Sequence, residues 1–175
     1  MKPVKFLLAA AVAASAAGFA IAQTGGANTS INKADAARLV ALAQANIAEI
    51  EAGNLALENS SNADVKAFAK MMVDDHTQGL EETKKVAAAK NVTLPSEPDA
   101  AHKKLAAELK ALSGSGFDNT YVKKAGVEDH TKVHAALRKD IGAAQDADVK
   151  ALAVKLEPTV AHHLAMAKKL GATPK

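Results

Sequence analysis

The chain has 175 residues with 22 Lys+Arg against 19 Asp+Glu, 3% aromatics, no cysteine and no tryptophan. Without cysteine there is no disulfide, thiolate metal site, iron–sulfur cluster or covalent haem. Two of the lysines, Lys2 and Lys5, lie in an N-terminal targeting segment; its removal leaves 20 basic against 19 acidic groups, so the case for nucleic-acid binding falls away.

That segment comes first in chain order. Lys2 and Lys5 form a basic start, Phe6 to Ala17 is apolar, and Ala20-Ile21-Ala22 is a small-x-small cleavage signal. We expect a signal peptide over residues 1–22 and export to a periplasm, with no transmembrane span after cleavage; the apolar run is short for one. Residues 23–31 are polar and Gly-containing, and read as a flexible leader. Residues 32–171 read as one helical domain, with 172–175 as a tail.

Asn32, with Asp35 three residues on, caps a first helix running to about Asn59. Its stripe is Leu39, Leu42, Ala43, Asn46, Ile50, Gly53 and Leu57, with Glu49 at the edge. Gly53 costs about 1 kcal/mol against alanine mid-helix, which close helix contact offsets. Ser61-Asn62-Ala63-Asp64 has the capping-box pattern and starts a second helix, ending near Lys90. Val65, Phe68, Ala69, Met72, His76, Leu80 and Ala87 share its apolar face. Asn91–Pro98 is a linker. Ser96 with Asp99 starts a short helix over Asp99–Leu112, and Ser113-Gly114-Ser115-Gly116 breaks it.

Ser115 with Asp118 caps the next helix, Phe117–Ala143, striped by Val122, Gly126, His130, Val133, Leu137, Ile141 and Ala144. Asp146 caps the last, which ends at Gly171. Its stripe is Val149, Leu152, Ala153, Leu156, Val160, His163, Ala167 and Leu170, and Pro158 should kink it. No strand pattern occurs. The expected fold is all-α, a four-helix bundle with one short crossing helix.

Three histidines, His76, His130 and His163, lie inside apolar stripes on three separate helices, and Glu49 flanks the stripe of the fourth. Counted from the turns, the members of each helix pair differ in height by three residues, roughly 4.5 Å. All four groups therefore fall near mid-height. Three imidazoles and a carboxylate suit a single zinc, copper or non-haem iron ion. The plainer alternative is three separate core histidines, each hydrogen-bonded locally. Asp75 borders its stripe and could orient a ring. His102 and His162 read as solvated. Met72 and Met166, near His76 and His163, suggest thioether ligation of copper, or core filling. A di-iron site would need Glu-x-x-His on two helices; three residues before the histidines stand Val73, Val127 and Val160. No nucleophile elbow, P-loop or dinucleotide fingerprint is present, so the sequence leans against an enzyme without deciding it; a metal oxidase or peroxide-handling activity rests on fold analogy alone.

Several motifs occur together: Ala48-Glu49-Ile50-Glu51-Ala52-Gly53, Val65-Lys66-Ala67-Phe68-Ala69, Met71-Met72-Val73-Asp74-Asp75-His76-Thr77, Phe117-Asp118-Asn119-Thr120-Tyr121, His130, and Leu156-Glu157-Pro158-Thr159-Val160-Ala161-His162-His163-Leu164. In this order they resemble an exported bacterial family, domain of unknown function 4142. The resemblance covers roughly Ala34 to Leu170, and Glu157 departs from the family's usual Leu-Pro pair. It implies a ferritin-like bundle in the periplasm or envelope, with outer-membrane association in some members, and no established activity. Two functional expectations follow. One is an exported bundle binding a single transition-metal ion through Glu49, His76, His130 and His163. The other is a metal-free structural or interaction protein with an envelope protein partner.

Overall fold

The computed structural model describes residues 31–172. The expected signal peptide, and the leader up to Ser30, lie outside the described residues. Six α-helices and one π-helical segment follow in order: α1 (Lys33–Asn59), α2 (Ala63–Ala89), α3 (Ala100–Lys110), α4 (Gly114–Thr120), the π segment (Tyr121–Asp129), α5 (His130–Ala143) and α6 (Ala147–Ala172). No strand occurs among the described residues. The architecture is a helical bundle: α1 packs chiefly on α2, and α5 on α6. α6 also touches α2 and the π segment, and α3 lies against α1. No helix among the described residues is long and apolar enough to cross a membrane.

The helix starts follow from local side-chain chemistry. Asn32 accepts the Asp35 amide at 2.9 Å, Asp99 accepts those of Ala101 and His102, and Asp146 accepts those of Asp148 and Val149. Three expected caps are corrected, the first being that Asp99 itself, not Ser96, caps α3. Asn62, not Ser61, caps α2, receiving the amides of Asp64 and Val65. The fourth rod starts at Gly114, earlier than Phe117; Ser113 holds its cap position without a side-chain bond, and Ser115 is already helical. That rod also departs from an unbroken α-helix, because residues 121–129 take the wider π turn.

Among the described residues, two apolar cores lie along the bundle. One is aromatic, built on Phe68, Met72, Phe117 and Tyr121, with Leu55, Val65 and Leu109. Phe117 and Tyr121 stack with ring centres 6.1 Å apart, and Phe68 meets Tyr121 edge-on at 6.1 Å. The other is aliphatic, built on Leu39, Leu42, Leu137, Val149, Leu152 and Val160. Gly53 lets α1 lie close against α2: a Cβ there would stand 2.7 Å from Val73 Cγ2. Asp35 does more than cap. Fully buried, it accepts the amides of Gln145 and Asp146 at 3.1 and 2.8 Å and pairs with Arg38, so it ties the start of α1 to the α5–α6 turn. Burial pushes its carboxyl up, but these hydrogen bonds and the Arg38 charge outweigh that and hold it low.

Candidate metal centre

The three histidines expected at mid-height meet. Ring centres of His76, His130 and His163 are 5.2–5.4 Å apart, and one nitrogen from each ring lies within 4.8 Å of the others. The rings are 7%, 2% and 0% exposed, so they meet out of contact with bulk water.

What surrounds each ring decides what it can do. His76 Nδ1 lies 2.9 Å from Asn46 Oδ1, whose own amide donates to the Leu42 carbonyl at 2.8 Å. Asn46 therefore presents an acceptor, and His76 Nδ1 carries the proton. His130 Nδ1 lies 2.8 Å from the Ala125 carbonyl in the π segment, so it too is the donor. His163 Nε2 donates to Asp75 Oδ2 at 2.9 Å. Each ring thus spends its proton outward. The remaining nitrogens, Nε2 of His76, Nε2 of His130 and Nδ1 of His163, all carry lone pairs. Nδ1 of His163 has no hydrogen-bond partner, and the two Nε2 atoms stand 3.3 Å apart.

Burial, then the neighbouring rings, holds His76 well below the ordinary imidazole range. Burial lowers His130 to about 4, against an opposing bond to Ala125. His163 is lowered by burial despite Asp75. All three rings are neutral at pH 7, the state in which imidazole ligates a metal.

Glu49 lies at the centre of α1's buried face, 5% exposed, rather than at a stripe edge. Its Oε1 is 3.6 Å from His130 Nδ1, the nitrogen turned away from His76. Glu49 thus meets His130 on its Nδ1 side and is not one of the group of three, and among the described residues its Oε2 has no hydrogen-bond partner. Burial, then the charge of Asp129, raises its carboxyl well above the usual range. Met72 is packed in the aromatic core and Met166 is exposed. His162 is exposed as expected; His102 is half-buried, pairing with Asp99 at 2.8 Å and facing Asp129 at 3.7 Å. His134 pairs with Glu157 at 2.8 Å, which gives the acidic residue before Pro158 a partner across α5 and α6.

Two supports of the site escape a reading of the sequence: the Asn46 side chain and the Ala125 carbonyl. Asn46 is legible only as a polar residue inside an apolar stripe. The Ala125 carbonyl reaches the ring five residues on because the π segment widens the turn just before His130. Its trace is the run Asp118, Val122, Gly126, His130, where three successive four-residue steps drift around an α-helix.

No curated protein and no solved structure matches the chain. A family model does, that of a domain of unknown function (DUF4142), over residues 20–170, and by that match the chain belongs to the DUF4142 family.

Proposed function

We propose that the protein binds one transition-metal ion through His76, His130 and His163, as a carrier, sensor or buffer in the bacterial envelope. One observation carries this reading. All three outward ring nitrogens face acceptors, so three lone pairs point at one another in a dry interior with no proton among them. Such a cluster is repulsive unless a cation sits in it. One pair has the spacing of bound ligands: two nitrogens bound at about 2.0–2.1 Å with a tetrahedral angle stand roughly 3.3–3.4 Å apart, and the Nε2 atoms of His76 and His130 are 3.3 Å apart, with the third ring's nitrogen within 4.8 Å. Neutral imidazoles suit zinc, copper or iron. Asn46, Ala125 and Asp75 hold the rings from outside, as the partners of metal-bound histidines do. Glu49 supplies a carboxyl on the Nδ1 side of His130. The four long rods around a central polar layer support a ferritin-like reading of the bundle. The Lys2–Ala22 pattern supports export.

Elemental analysis of the purified mature protein tests the proposal. We expect about one zinc, copper or iron per chain, lost in His130→Ala with helix content unchanged. No bound metal in the wild type, or equal metal in His130→Ala, would overturn it.

A further inference from the structure

On one side of the histidine layer stands the aromatic core. In front lies a cavity of about 30 Å³, which the three histidines themselves line. The apolar part of its wall comes from one direction along the bundle. Val133 and Leu137 follow His130 by three and seven residues on α5, and Val160 and Leu156 precede His163 by the same steps on α6. Because α5 and α6 are joined by a short turn and run antiparallel, these four lie one and two turns from the rings on the same side. Gly79, one turn past His76, and Leu42, one turn before Asn46, complete that wall.

Resting on the metal reading above, we infer that the ion's fourth coordination position opens into this cavity. It takes one small, weakly hydrated inorganic ligand of two or three atoms, of the azide or diatomic kind. Size and polarity both point there. With the ion among the ring nitrogens, a volume of 30 Å³ beside them holds about two water-sized groups, enough for a ligand of two or three atoms and too little for an imidazole. The ring N–H groups donate outward and the Asn46 amide donates to Leu42, so none of these is left to solvate an incoming anion. Strongly hydrated ligands lose their water shell without replacement; weakly hydrated ones lose little. Three protein ligands with an open fourth position is also the arrangement in which a metal accepts exogenous groups. The polar part of the lining beside the histidines is buried Asn46 and Glu49, with half-buried Asp75 and Thr159 between α2 and α6.

The test uses the full mature chain loaded with cobalt(II), whose visible absorption reports its ligands. Azide should change that spectrum saturably, whereas imidazole, too large for the cavity, should bind at least tenfold more weakly. Leu156→Ala, which enlarges the cavity without touching a ligand, should bring imidazole to within about threefold of azide. The inference is overturned if azide leaves the bound-cobalt spectrum unchanged, or if imidazole binds the wild type as tightly as azide. Absence of any bound-cobalt spectrum, by contrast, overturns the metal reading itself and this inference with it.

Discussion

The two cores on either side of the histidine layer are built for different tasks. The aromatic end is closed: Phe68, Phe117 and Tyr121 interlock, and the Gly126 backbone lies against Ala167 so closely that a Cβ would stand 2.8 Å away. The aliphatic end is looser where it meets the site, and Leu42, Leu137 and Val160 border a cavity instead of filling it. Rigidity sits behind the rings and free volume in front of them, as a site needs if its ligands are to hold still while something small enters. The largest predicted effect follows. Phe117→Ala should cost about 4 kcal/mol by urea unfolding and leave metal stoichiometry unchanged. Leu137→Ala, already beside a void and so losing fewer contacts, should cost about 2–3 kcal/mol. Equal costs would erase the contrast between the ends.

Acid should act next most strongly, and through the layer between the cores. The unfolded chain takes up protons on histidine near pH 6.5, while folded His130 resists until about 4. Between those values the unfolded state holds more protons, so stability is fully present above pH 6.5 and is lost as pH falls towards 4. For His130 alone the loss is on the order of 3 kcal/mol. His76 and His163 are lowered too and add to it. Glu49 acts oppositely: its raised carboxyl stabilises the fold below the ordinary value near 4.5, a contribution lost as pH rises through the raised value. Three imidazoles outweigh one carboxyl, so stability should climb from pH 4.5 to 6.5. Urea unfolding of metal-free protein at several pH values reads the slope, and a flat or falling curve would contradict neutral, buried rings.

A pair of glycines separates the two ends at smaller cost. Gly126→Ala puts a methyl against the Ala167 Cβ on a packed helix face, and should destabilise by about 1–3 kcal/mol with metal affinity unchanged. At Gly79 a Cβ would stand 2.8 Å from Asn46 Oδ1, the atom that fixes His76. There the neighbour is the tip of a side chain, so it swings away and His76 loses its acceptor. Gly79→Ala should therefore lower metal affinity about 10–100-fold, with stability nearly unchanged because alanine favours the helix. Competition against a chromogenic chelator measures the first, and urea unfolding the second.

The sequence is most readable where structure is local. Asn32 and Asp146 cap the helices they were expected to cap, since a cap needs only its own next few amides, whereas Asp99, expected as the partner of Ser96, takes the cap of α3 itself. The common height of His76, His130 and His163 is readable as well, because short turns fix the register of neighbouring rods. Ser61 lost the cap of α2 to Asn62, a neighbour of the same chemistry, and such a contest leaves no mark in a pattern. Glu49 shows the limit at the site. Its spacing places it at the right level, yet its carboxyl meets His130 at Nδ1, the nitrogen turned away from His76, and which ring atom a side chain meets is set by packing between helices rather than by any local rule. Asp35 is similar: the residue reads as a cap partner, whereas its main bonds reach more than a hundred residues along the chain.

The smallest predicted effect tests whether the aromatic end holds anything beyond packing. Tyr121 is fully buried and its hydroxyl has no hydrogen-bond partner. Burial, then the nearby Glu49 carboxyl, keeps that hydroxyl protonated far above its ordinary range. Leaving a buried hydroxyl unpaired costs free energy, so its removal should help if the ring does the holding. Tyr121→Phe keeps the stacking on Phe117 and the edge contact with Phe68. We therefore expect stability to rise by up to about 1 kcal/mol by urea unfolding, with metal affinity unchanged. A loss of stability or affinity would mean that the hydroxyl engages Glu49 in solution, and the closed end would then extend its polar reach through Glu49 to the Nδ1 side of His130.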